Sequence, residues 1–162
     1  MDVQAMFHIQ QELNDRIIDE HKLQGKSLFA EKMLAFFVEL GELANETRCF
    51  KYWSKKAGSE KEIILEEYVD GLHFVLTLGL ALGHTNVTLD YSNDAPRTTT
   101  EQFLYVFNCA HELEQFQTKD AFQKLFTAFL SLGDQLDFTI TEIEAAYLEK
   151  NKVNHQRQDE GY

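Results

Sequence analysis

The sequence predicts an all-α fold, a compact bundle of four to five main helices. One proline and 8 glycines among 162 residues leave few breakers of long helices. Apolar residues recur at helical spacing, as Val3, Met6, Leu13 and Ile17 do. No stretch of any length alternates apolar and polar residues in the manner of a half-buried strand.

The first helix is expected over about residues 3–22, broken by Gln24-Gly25-Lys26-Ser27. The second covers about 28–48. Its middle, Met33 to Val38, is apolar on every side and is expected to be buried. Ser59 and Glu62 have the spacing of a capping box and place the start of a third helix, about 60–83. The second half of that helix, His73 to Leu82, is again apolar nearly all round. A loop from Asn86 to Thr99 holds Pro96. Thr98 and Glu101 form a second candidate capping box, opening a fourth helix over about 100–117. A fifth runs over about 120–132, with Gly133 marking a break, and a last one over 140–151. Residues 152–162 read as a polar tail, disordered when alone. The length suits one domain over 1–162 with a core large enough to need no staples. Two helices with all-round apolar stretches suggest a further buried face, such as that of a homodimer formed through the bundle.

A formal net charge of -12 excludes general electrostatic binding to nucleic acid, which needs a basic footprint. The N-terminal stretch carries early acid and no apolar h-region, so no signal peptide is expected. The longest apolar stretch, around Phe74 to Leu82, is too short to span a bilayer. Cys49 and Cys109 form no CxxC pair, which argues against zinc and disulfides and for a reduced, cytoplasmic protein.

The acids of greatest interest adjoin the apolar stretches. Glu39 and Glu42 lie three apart on helix two, directly after Phe36-Phe37-Val38. Glu67 and Asp70 repeat the spacing on helix three, just before His73-Phe74-Val75-Leu76. Burying unpaired carboxylates costs several kcal/mol each, so they must stay solvated or meet a cation. No Lys or Arg lies within a turn on either acidic face. A divalent metal is the economical counter-charge, and all-oxygen ligands favour Mg²⁺ or Mn²⁺. A solvated acidic face remains the other reading of the pattern. Di-iron chemistry is disfavoured because the chain has no Glu-x-x-His, only Asp70-Gly71-Leu72-His73.

Glu-x-x-Glu, a gap of 24 residues, then Glu-x-x-Asp resembles the motif of the all-α nucleoside triphosphate pyrophosphohydrolases, the superfamily of MazG-like enzymes and dimeric dUTPases. Further stretches resemble the dimeric dUTPase branch. These are Gln11-Glu12-Leu13-Asn14-Asp15, Phe50-Lys51-Tyr52-Trp53-Ser54, and Tyr147 to Asn151 followed by Asn154, Arg157, Gln158, Gly161 and Tyr162. The resemblance spans nearly the whole chain in the family's order. The chain is shorter than well-known members, and 86–99 offers no clear match.

The resemblance implies hydrolysis of dUTP to dUMP and pyrophosphate, with dUDP as a further candidate substrate. It implies two or three Mg²⁺ held by Glu39, Glu42, Glu67 and Asp70, with Glu39 the candidate base and Glu42 beside it in the catalytic set. Gln11, Asn14 and Trp53 would contact the nucleoside, Lys150, Asn154 and Arg157 the phosphates. A homodimer is implied as well. Two other readings stay open: a house-cleaning pyrophosphohydrolase for dCTP or a modified nucleotide, and a non-catalytic helical interaction module.

Overall fold

A computed structural model describes residues 1–89 and 96–161. Among these lie six α-helices and no strand: α1 Val3–Glu20, α2 Phe29–Thr47, α3 Lys61–Leu82, α4 Thr99–Phe116, α5 Lys119–Gln135 and α6 Ile140–Asp159. The all-α expectation holds, with six helices rather than four or five.

Helix α3 is the centre of the bundle and packs against α1, α2, α5 and α6. Its apolar second half is buried almost without interruption from Tyr68 to Gly79, as the sequence predicts. Gly79 permits this closeness, because a Cβ there would stand 2.5 Å from the Phe122 ring and 3.0 Å from Phe7. The core also takes Phe36, Leu40 and Leu43 from α2, Val106 and Leu113 from α4, and Phe122, Phe126 and Phe129 from α5.

Four sequence expectations are corrected. The stretch Met33 to Val38 is only half covered: Met33 and Phe36 are buried, while Leu34 is 64% and Val38 49% exposed. Among the described helices, α2 rests on α3 and α4 along one side only. Gly133 does not end α5, which continues to Gln135. It lies inside the helix because a Cβ there would come 2.5 Å from the Tyr68 hydroxyl. Ser59 and Glu62 do not form a capping box. The Ser59 hydroxyl donates to the Glu46 carboxylate instead, closing the loop between α2 and α3. By contrast, Thr98 and Glu101 do form the expected box at α4, and Thr139 with Glu142 forms another at α6.

The fourth correction concerns the tail, which is helical through Asp159. Arg16 on α1 holds it, donating to the His155 carbonyl at 3.0 Å and pairing with Asp159. His21 and Gln158 add a contact at 3.0 Å. These bonds carry α6 past the end that its apolar pattern suggests. The tail motif's final residue, Tyr162, lies outside the described residues, as does part of the expected loop, 90–95.

Candidate active site

Helices α2 and α3 run side by side and bring the two acid pairs together. Glu39, Glu67 and Asp70 each offer an oxygen within 4.8 Å of the others, and all three are half-buried. Glu42 is exposed at the edge of the group, where its charge acts on both Glu39 and Glu67. Burial pushes Glu39 up to about 7, with the charges of Asp70, Glu42 and Glu67 adding to it. Glu67 and Asp70 are raised too, in each case chiefly by burial.

The absence of basic residues on either acidic face does not leave the acids without a cation, because α6 supplies one. Lys150 reaches Asp70 at 2.7 Å and Glu66 at 3.0 Å, with only 11% of its side chain exposed. Burial works against its charge, but pairing with Asp70 and Glu66 outweighs that and raises its pKa. Lys150, with the more distant charge of Arg157 on Asp70, faces Glu39, Glu67, Asp70, Glu42 and Glu66, so acids outnumber cations in the group. Its all-oxygen donor set, with no sulfur and no accessible imidazole, fits a hard divalent cation.

A cavity of about 400 Å³ opens beside the cluster. Glu39 and Asp70 line it, as do Gln10 and Asn14 from α1, His73 and Thr77 from α3, and Asn154 and Arg157 from α6. Leu13, Ile17 and Phe74 give it apolar walls. The volume and the mixture of apolar wall with a few placed polar groups suit a small organic ligand.

Of the residues picked out in sequence, the cavity gathers Glu39, Asp70, Asn14, Asn154 and Arg157. Glu67 adjoins it through the cluster, and Lys150 through Asp70. Gln11 and Trp53 are not among the lining residues. Gln11 bonds Asp15 at 2.6 Å along the outer face of α1, and Trp53 is 64% exposed with edge contacts to Phe50 and Tyr52.

Gln10, His73 and Thr77 are the additions. Gln10 was legible from helical spacing: it continues the buried face of Val3, Met6 and Phe7 and lies one turn before Asn14. His73 is buried. Its Nδ1 meets Gln10 Oε1 at 2.6 Å, and its ring stacks on Tyr147 with centroids 4.3 Å apart. Burial, helped by Lys150, lowers its pKa to about 3, so the ring is neutral. Among the described residues, His73 Nε2 and Asn151 Nδ2 are buried without a hydrogen-bond partner.

An all-α bundle that draws carboxylates from two neighbouring helices to the edge of such a cavity has the parts of a metal-dependent nucleotide hydrolase. The chain belongs to the dUTPase family: the model described as dUTPase matches residues 2–162. Comparison with curated proteins finds no match. The chain is accordingly a nucleoside triphosphate pyrophosphohydrolase that cleaves dUTP to dUMP and pyrophosphate. This sets aside the non-catalytic module. The family depends in general on a divalent metal. No helix among the described residues is long and apolar enough to cross a membrane.

Proposed function

We propose that Glu39, Glu42, Glu67 and Asp70 hold the Mg²⁺ ions of dUTP hydrolysis, two or three in number, with Mn²⁺ able to replace them. What carries this reading is the convergence of Glu39, Glu67 and Asp70 within 4.8 Å beside the cavity. Metal bound there would offset phosphate charge and lower the pKa of an attacking water.

The chain's own groups then have distinct tasks. Glu39, at the edge of the cavity, would take the proton from that water. Water adds its oxygen to phosphorus, the bond to the departing phosphate oxygen breaks, and dUMP and pyrophosphate result. With Asp70 engaged by a cation, Lys150 would be free to turn to the triphosphate. Arg157 offers two parallel donors to phosphate oxygens and Asn154 a neutral one. The end of α6, held on α1 by Arg16, would cover the triphosphate and keep bulk water out. Asn14 and Gln10 face the nucleoside. Gln11 and Trp53 reach it only where a closed loop or a second copy presents them.

The working unit is a homodimer. The uncovered side of α2 supports this: Leu34 and Val38 are exposed there, Leu104 of α4 is 59% exposed, and Phe37 joins the two helices by stacking on Phe107 with centroids 5.9 Å apart. An apolar face of that extent is suited to a second copy of the same chain. Two free cysteines, Cys49 and Cys109, fit a reducing cytoplasm.

Calorimetric titration of Mg²⁺ with a non-hydrolysable dUTP analogue tests the assignment. Wild type is expected to bind both, and Glu67→Gln to lose Mg²⁺ while keeping its helical content. Equal Mg²⁺ binding by the two proteins contradicts it.

A further inference from the structure

Helix α6 changes its manner of packing at Asn151. Its buried residues are Ile143, Tyr147 and Asn151, one per turn along a single stripe. The stripe continues as Asn154, His155 and Gln158, and no residue from Lys152 to Glu160 is buried. Two turns of helix therefore extend past the core without an apolar anchor. Helix ends with so few buried contacts open at little cost. Yet this segment carries Asn154 and Arg157, which line the cavity.

Arg16 supplies the hold. Glu20, one turn further along α1, accepts from its Nε at 2.6 Å and steadies the guanidinium. Nη1 donates to the His155 carbonyl at 3.0 Å and stands 3.3 Å from His155 Nδ1. A guanidinium has no acceptor, so that ring nitrogen can only accept. Nη2 donates to the Asp159 carboxylate at 2.5 Å. The rigid fork of an arginine can serve these separated partners at once, which a single ammonium cannot. His21 Nε2 and Gln158 Oε1, 3.0 Å apart, add one further contact. His155 and Asp159 lie one turn apart on α6, so pinning both sets the rotation of the helix. That rotation is what turns Asn154 and Arg157 toward the cavity. Arg16 itself is not among the cavity's lining residues, although Asn14 and Ile17 on either side of it are. Its charge is committed to α6.

We propose that Arg16 is a positioning residue for the triphosphate: it holds the last two turns of α6 so that Arg157 and Asn154 are in place before the nucleotide arrives. This rests on the reading of Arg157 and Asn154 as phosphate contacts. Without Arg16 the end of α6 is ordered in only a fraction of molecules, and apparent affinity falls by that fraction. Ordering the tail in advance removes this cost from binding. Bound nucleotide draws a released tail back into place, so the saturated enzyme turns over as before. Arg16 therefore acts on KM and leaves kcat alone.

The test is steady-state hydrolysis of dUTP with Mg²⁺ by the full chain, alongside thermal melting of each variant. Arg16→Met keeps most of the side chain's length and removes its donors. It is expected to raise KM about tenfold, as when the ordered tail falls to about a tenth of molecules, with kcat and the melting midpoint close to wild type. A rise in KM below about threefold, or a fall in kcat as large as the rise in KM, overturns the proposal. Trypsin cleavage after Lys152 is expected to be faster in Arg16→Met than in wild type, and slow in both with Mg²⁺ and a non-hydrolysable dUTP analogue. Equal cleavage of the two free proteins overturns it as well. Added to Arg157→Met, Arg16→Met is expected to raise KM by no more than about threefold, because little is left to place. The full tenfold effect there would mean that Arg16 acts without the tail. Wild-type KM in Arg157→Met removes the reading of the tail as a phosphate contact, and the proposal with it. A raised KM in Arg157→Met beside an unchanged one in Arg16→Met removes the proposal alone.

Discussion

Lys150 on α6 pairs with Asp70 on α3 at 2.7 Å, so the residue expected to meet phosphate is bound to a residue expected to meet metal. The pair links the tail to the carboxylate cluster. It also makes Lys150 a competitor of the metal for Asp70. Replacing Lys150 by Met is therefore expected to leave Mg²⁺ affinity equal to wild type or tighter, while KM for dUTP rises by about tenfold for the lost charged contact. Steady-state kinetics and Mg²⁺ calorimetry check the two halves. Weaker Mg²⁺ binding would mean that Lys150 supports the site and does not compete for it.

Glu39 sets a pH dependence whose sign is opposite to that of a salt-bridged acid. Its pKa rises from 4.5 in the unfolded chain to about 7 in the fold, so the native state favours the protonated form. The group costs no stability below about 4.5. The cost grows as pH rises through that window and is complete above about 7. Metal-free wild type is expected to lose more thermal stability between pH 5 and pH 8 than Glu39→Gln does. Saturating Mg²⁺ should remove most of the difference, since the bound cation favours the carboxylate. Parallel pH profiles for the two metal-free proteins would contradict the burial of Glu39 among like charges.

Gly133→Ala tests the packing of α5 on α3. The added methyl group would stand 2.5 Å from the Tyr68 hydroxyl, whose ring stacks on Phe129 with centroids 4.6 Å apart. Overpacking of this kind costs about 1–3 kcal/mol. Chemical denaturation is expected to show that loss, and the double variant with Tyr68→Phe to recover part of it. An unchanged midpoint for Gly133→Ala would show that the helices separate without cost.

Much of this architecture was readable from local chemistry. Thr98 and Glu101 start α4 as a capping box because their partners are three residues apart and need nothing from elsewhere. The acid pairs were readable for the same reason, as one turn of helix aligns each pair. What failed depended on partners distant in sequence. Ser59 serves Glu46 rather than its own helix, Gly133 answers to Tyr68, and α6 continues past residue 151 because Arg16 holds its end. Lys150 likewise reaches Asp70 and Glu66 across the bundle. Gln10 is a separate case: motif spacing points to Gln11, and the buried face of α1 passes through Gln10.

Leu34→Glu addresses the uncovered face of α2. The side chain is 64% exposed in one chain, so a charge there has little cost to the monomer's fold. Sedimentation is expected to show a dimer for wild type and a monomer with native helical content for the variant. A wild-type dimer left intact by Leu34→Glu would move the interface off α2.

The central claim is that carboxylates from α2 and α3 form the metal centre for dUTP cleavage. Pyrophosphate release from dUTP in Mg²⁺, measured for wild type and Asp70→Asn, tests it most directly. The account predicts release by wild type and a loss of at least about 100-fold in the variant, of the size seen when one group that stabilises the transition state is removed, with unchanged circular dichroism. Wild-type turnover by Asp70→Asn would contradict it.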